Sequence, residues 1–141
     1  MQPYRKVRVI RVSWPVAPAT LKGVLAGNAA AVNNDPALAP LLAILRADNC
    51  LGDFGLYRAV AEVSPCLELF EVQHGDRPTL GEPGQAQAST NLMVTMHTDA
   101  RVSQAVFDRA VAELVAAHPW EVPVIEVSEA AIALRPDQLD R

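Results

Sequence analysis

The chain has 141 residues, half of them hydrophobic, a formal charge of −4 at pH 7 and an isoelectric point near 5.3. That is the length of one domain, residues 1–141, able to bury about two thirds of its unfolded surface. The acidic balance excludes the basic stripe of a nucleic-acid-binding surface, and no stretch approaches the run of about 18 apolar residues that a membrane span needs, so neither partner is expected.

The chain opens on "MQPYRKVRVIRVSW", which has no apolar leader segment, and a cytoplasmic location is expected. In that reducing compartment Cys50 and Cys66, which lie outside any CxxC spacing, are expected as thiols and not as a disulfide or zinc pair. "KVRVIRVSW" reads as the first strand, with Arg5, Lys6, Arg8 and Arg11 on solvated strand faces. "ATLKGVLAGNAAAV" and "PALAPLLAILRA" read as one or two helices, with Pro36 placed near the start of the second. "GLYRAVAEV" and "CLELFEVQ" read as two strands separated by a Ser64-Pro65 turn. The segment "HGDRPTLGEPGQAQAST" reads as a loop rich in Gly and Pro, and "NLMVTMHT" as a strand with Leu92, Val94 and Met96 on one face.

The clearest element is "DARVSQAVFDRAVAELVAAH", residues 99–118. Val102, Val106 and Ala110 form one apolar row and Phe107, Val111 and Leu114 the next, the mark of an amphipathic helix. Asp99 or Ser103 caps its start, and Pro119 forces His118 out of helical geometry and ends it. The β-branched run "VPVIEVSEAAIAL" supplies the last strand.

The string β, α, several β, α, β splits into two β-α-β halves with antiparallel insertions. It predicts an α+β, ferredoxin-like sandwich, an antiparallel sheet with helices on one face. Met93 then faces the side that the helices leave bare, and self-association is the usual cover for such a face.

"AAHPWEVPVIEV" resembles the helix-to-strand signature His-Pro-aromatic-Glu-x-Pro of the CutA divalent-cation-tolerance proteins and of the inserted middle domain of NIF-three-like dimetal proteins. "LGDFGLYRAVAEVSPCLELFEVQHGDRPTLGEPGQ" is more similar to the middle domain: a Gly-x-Tyr/Phe stretch, strands, then a loop spaced Gly75, Pro78, Gly81, Gly84. The resemblance is strongest over 51–127. It implies a PII/CutA-like fold that commonly forms a homotrimer. The stretch from Val16 to Asn49 is longer than the single helix that pattern has. The dimetal proteins hold their metal-binding histidines and glutamate in flanking domains for which 141 residues leave no room, so their hydrolase activity is not expected here.

"HPWEVP", residues 118–123, has two readings. His118 and Glu121 can bind a ligand, or Pro119 stops the helix, His118 donates to its last carbonyls, Trp120 anchors packing and Pro123 leads into an edge strand. We expect the hinge. The loop from Gly75 to Gln85 is the more plausible binding element: Gly75, Gly81 and Gly84 permit close backbone approach and Arg77 adds charge. His74 and His97 are weak metal candidates, able to meet only if their strand ends are neighbours. "GDFG", residues 52–55, lacks every companion motif of a kinase and reads as a turn; there is no G-x-S-x-G. A non-enzymatic, oligomeric binding or assembly module with a small-molecule or protein partner is therefore expected. The alternatives are a metal-ion or nucleotide sensor, with a divalent metal as its cofactor, and a hydrolase with an intersubunit site.

Overall fold

The computed structural model describes residues 1–73, 81–82 and 84–138. The first strand, β1, spans Tyr4–Pro15. Three short helices follow, α1 (Pro18–Leu25), α2 (Ala29–Asn34) and α3 (Ala39–Arg46), the last entered through a 3-10 turn at Pro36–Leu38. Strands β2 (Glu62–Glu71) and β3 (Ala86–Asp99) form a hairpin, helix α4 is Gln104–Ala117, and β4 is Ile125–Ala133.

The four strands form one sheet in the order β2-β3-β1-β4, with every neighbouring pair antiparallel. β1 and β2 run in the same direction with β3 between them, and β3 and β4 do so with β1 between them. Two interleaved β-α-β units of this kind are the ferredoxin-like topology, the architecture expected from the sequence.

Alternation along the strands sends Ile10, Val12 and Trp14 of β1, with Leu92, Val94 and Met96 of β3, toward the helices. There they meet Leu38, Leu41 and Leu45 from the α3 region and Phe107, Ala110 and Leu114 of α4. Met93 lies half-buried on the opposite face, as expected. The α4 stripe is rotated from its predicted position: Phe107, Ala110 and Leu114 are buried while Val106 is 44% exposed. The helix starts after Ser103, whose hydroxyl accepts the Val106 N–H at 3.3 Å. Asp99 instead ends β3, where it pairs with Arg101 at 2.6 Å and Arg5 at 3.5 Å. The Arg101 hydrogen bond, with the charges of Arg101 and Arg5, holds the Asp99 carboxyl below its ordinary range despite the opposing effect of burial.

The Val16–Asn49 stretch is packed by one buried carboxylate. Asp35 accepts from Thr20 Oγ1 (2.6 Å), Ala17 N (3.1 Å) and Ala37 N (2.8 Å), tying the start of α1 to the turn that opens α3. Burial alone would raise its pKa; the three hydrogen bonds outweigh that and hold it below 3.8.

Three expectations are corrected. Ser64-Pro65 is no turn: both residues lie within β2, and a proline is tolerated there because β2 is an edge strand, paired on one side only among the described residues. "GLYRAVA" is no strand but an irregular crossing with left-handed backbone at Gly52, Gly55 and Ala59. The predicted loop is shorter than expected, because Ala86–Thr90 already belong to β3. "GDFG" is a turn as read, with the Asp53 carboxylate accepting the Gly55 N–H at 2.9 Å.

Candidate functional site

β2 and β3 continue past the body of the sheet. β1 accompanies β3 only as far as the pair Pro15 and Asn91, whereas β2 stays paired until Glu71 meets Ala86. Glu68–Glu71 and Ala86–Ser89 therefore form a two-stranded arm. On its helix-side face Leu69 is 73% exposed, and Leu67 at its base is 61% exposed. These leucines continue the rows of core residues, but the helical layer does not reach them. On the other face stand Glu68 and Phe70.

The connection from α4 to β4 crosses the base of this arm. Pro119 places His118 in extended geometry as the helix C-cap. The donation of its ring to the last carbonyls of α4 that the sequence led us to expect is not made. Nε2 instead donates to the Ser13 carbonyl of β1 at 2.7 Å, and Nδ1 accepts the Trp120 N–H at 3.1 Å. Ser13 N–H also donates to Val124 O at 3.0 Å, so both main-chain groups of Ser13 hold the connection. Trp14 lies edge-on to His118 at 4.8 Å between ring centroids, and its indole N–H donates to Ala37 O at 2.7 Å. With both ring nitrogens engaged, the His118 ring is fixed in place and acts as a hinge pin.

Trp120 reaches Phe70 of the arm, with centroids 6.2 Å apart and planes at 53°. Between arm and connection lies a groove of about 280 Å³ lined by Glu68, Phe70, Val72, Trp120, Glu121 and Val122, with Glu71 at its side. Glu68 is fixed from below. Its Oε2 accepts from the amide of Asn91 at 2.9 Å, and that amide also donates to Ser13 Oγ at 2.8 Å and accepts from Ser89 Oγ at 2.6 Å. Asn91 is wholly buried, so its satisfied side chain sets the orientation of the carboxylate.

The other predicted residues divide between this end of the sheet and the opposite one. Gly81 has φ +96° and is packed against Phe70 and Val72, where an added Cβ would sit 3.1 Å from both side chains. Gly84, also at positive φ, donates its N–H to Val72 O. Glu121 lines the groove. Gly75, Arg77 and His74 lie outside the described residues. His97 is at the far end: its carbonyl accepts the Gly52 N–H at 2.9 Å and its ring faces Phe54 at 5.8 Å. The antiparallel register separates it from the Ala86 end of β3 by eleven residues, roughly 35 Å of strand. The strand ends at Gln73 and Thr98 are not neighbours. No group of three His, Cys, Asp or Glu suited to a metal ion occurs among the described residues. The sequence reading named Trp120 as an anchor but missed Glu68, Phe70 and Asn91. Glu68 and Phe70 fall within a segment read as a strand, but what they and Asn91 face is set by the β2–β3 register, which the sequence alone does not reveal.

No family model matches the chain, and no curated protein matches it in sequence. Among solved structures, a Bacillus cereus protein related to NIF3 superposes with a TM-score of 0.57 at 16% identity over 91% of this chain. The chain has the fold of one part of that protein. It spans 26% of the NIF3-related chain, as a resemblance to a single domain of a larger protein requires. The periplasmic divalent cation tolerance protein CutA from Archaeoglobus fulgidus matches at a TM-score of 0.41 and 15% identity, over 95% of both chains. No helix among the described residues is long and apolar enough to cross a membrane.

Proposed function

We propose that the chain is a non-enzymatic, cytoplasmic binding and assembly module that works as a homotrimer. The observation that carries this reading is the arm and its base, where Leu69 and Leu67 stand exposed on an edge strand whose outer side has no partner among the described residues. Exposed apolar side chains beside an unpaired edge favour association, and a second copy of the same chain offers a surface that buries both. Association through the arm also places the groove, with Gly81, Gly84, His118 and Glu121 around it, beside a neighbouring subunit. Gly75 and Arg77 belong to the same proposed ligand-binding set. The hinge role of His118 favours this reading over a metal sensor, because metal binding would require that ring to give up one of its two hydrogen bonds.

The test is native mass spectrometry of the chain and of the double variant Leu67→Glu, Leu69→Glu. The expected result is a trimer for the chain and a folded monomer for the variant. A variant that remains trimeric would place the interface elsewhere. Hydrolysis of a phosphate ester or nucleotide by the purified chain, abolished by substitution of a groove carboxylate, would replace the non-enzymatic reading with that of a hydrolase.

A further inference from the structure

We infer that the groove between arm and connection binds an organic cation, a protonated alkylamine with an apolar stem. The inference rests on the binding-module reading and names the ligand class. Phe70, Val72, Trp120 and Val122 give the groove apolar and aromatic walls, while Glu68 and Glu71 give it negative charge. No lysine, arginine or histidine is among its described lining residues. Aromatic faces attract a cation through the ring quadrupole, and a carboxylate beside them adds a directed ion pair.

Two further features select this class. The carboxylates do not converge into a metal-holding group, so the charge is spread along an apolar surface that suits an organic body better than a bare ion. Glu68 is held in place before any ligand arrives. Asn91, buried and locked by Ser13 and Ser89, occupies one position on Oε2, and a carboxylate offers about four acceptor positions. A preset acceptor loses little freedom on binding. A volume of about 280 Å³ lies near the lower end of small-molecule pockets.

The experiment is isothermal titration of the intact chain with n-hexylamine, with 1-hexanol as the uncharged isostere and ATP as an anionic probe. Glu68→Gln removes the charge and keeps an oxygen for Asn91, and Trp120→Leu removes the aromatic wall. The expected result is saturable binding of hexylamine, weakened at least tenfold by Glu68→Gln and by replacing the amine with the alcohol. Should Trp120→Leu fail to fold by circular dichroism, the exposed Glu71→Gln serves as the second variant, with a smaller loss expected. Equal affinity for amine and alcohol, absence of saturable binding, or preference for ATP would overturn the inference. Native mass spectra of the same samples separate the two proposals: a trimer that ignores hexylamine refutes only the ligand class, and a monomer that binds it refutes only the assembly.

Discussion

The body of the sheet and its arm are built from the same alternating strands, yet they end in opposite states. In the body, Trp14, Ile10, Val12, Leu92 and Met96 are wholly buried beneath α3 and α4. In the arm and at its base, Leu69 and Leu67 occupy the same face and remain largely exposed. Strand pattern therefore fixes which way a side chain points, and the reach of the helical layer decides whether it is covered. What the helices leave bare is the surface that the proposed assembly would cover.

Substitutions on the two sides should differ accordingly. Trp14→Ala should cost the most, about 3–5 kcal/mol in urea unfolding, because it opens a cavity and strips the Ala37 carbonyl of its donor. At the junction of body and arm, Asn91→Ala leaves Ser13, Ser89 and Glu68 short of a buried partner and should cost about 1–3 kcal/mol. It should also weaken amine binding, which a loss of stability alone would not do at temperatures where the variant is fully folded.

Acid should weaken the body through two of its carboxylates. Asp35 and Asp99 both have carboxyls held below their ordinary value of 3.8 in the folded chain. An unfolded chain binds protons at higher pH than these native carboxylates do, so their stabilisation is complete above about pH 4 and is lost as pH falls through the lower folded values. Asp35→Asn should lower stability at pH 7 by about 1–3 kcal/mol and flatten the acid limb of an unfolding-versus-pH curve. An unchanged limb would mean that Asp35 is not one of the groups responsible. The smallest effect belongs to Leu69→Ala, expected within about 0.5 kcal/mol for the isolated subunit but accompanied by easier dissociation on dilution.

Much of the fold was legible because its signals are strong. β1, the central part of β3 and α4 have unbroken alternation or helical spacing, and Pro119 marks the end of α4 one residue beyond its C-cap. The errors arose where a local signal was overruled by position. Pro65 reads as a break until β2 is known to be an edge, and Ala86–Thr90 read as loop because nothing in their composition reveals that β2 pairs with them. The site was less legible than the fold. His118 stood out by its residue type, but its two hydrogen bonds go to Ser13, 105 positions away, and to the adjoining connection. Glu68 and Asn91 are unremarkable in sequence and acquire meaning only from a register that sets β2 beside β3.

A covered arm requires a self-associated chain. Sedimentation equilibrium of the purified chain, taken over a hundredfold dilution, measures that most directly. The prediction is one species of three times the 15.2 kDa chain mass, dissociating only toward the dilute end. A 15.2 kDa species at every concentration would contradict it.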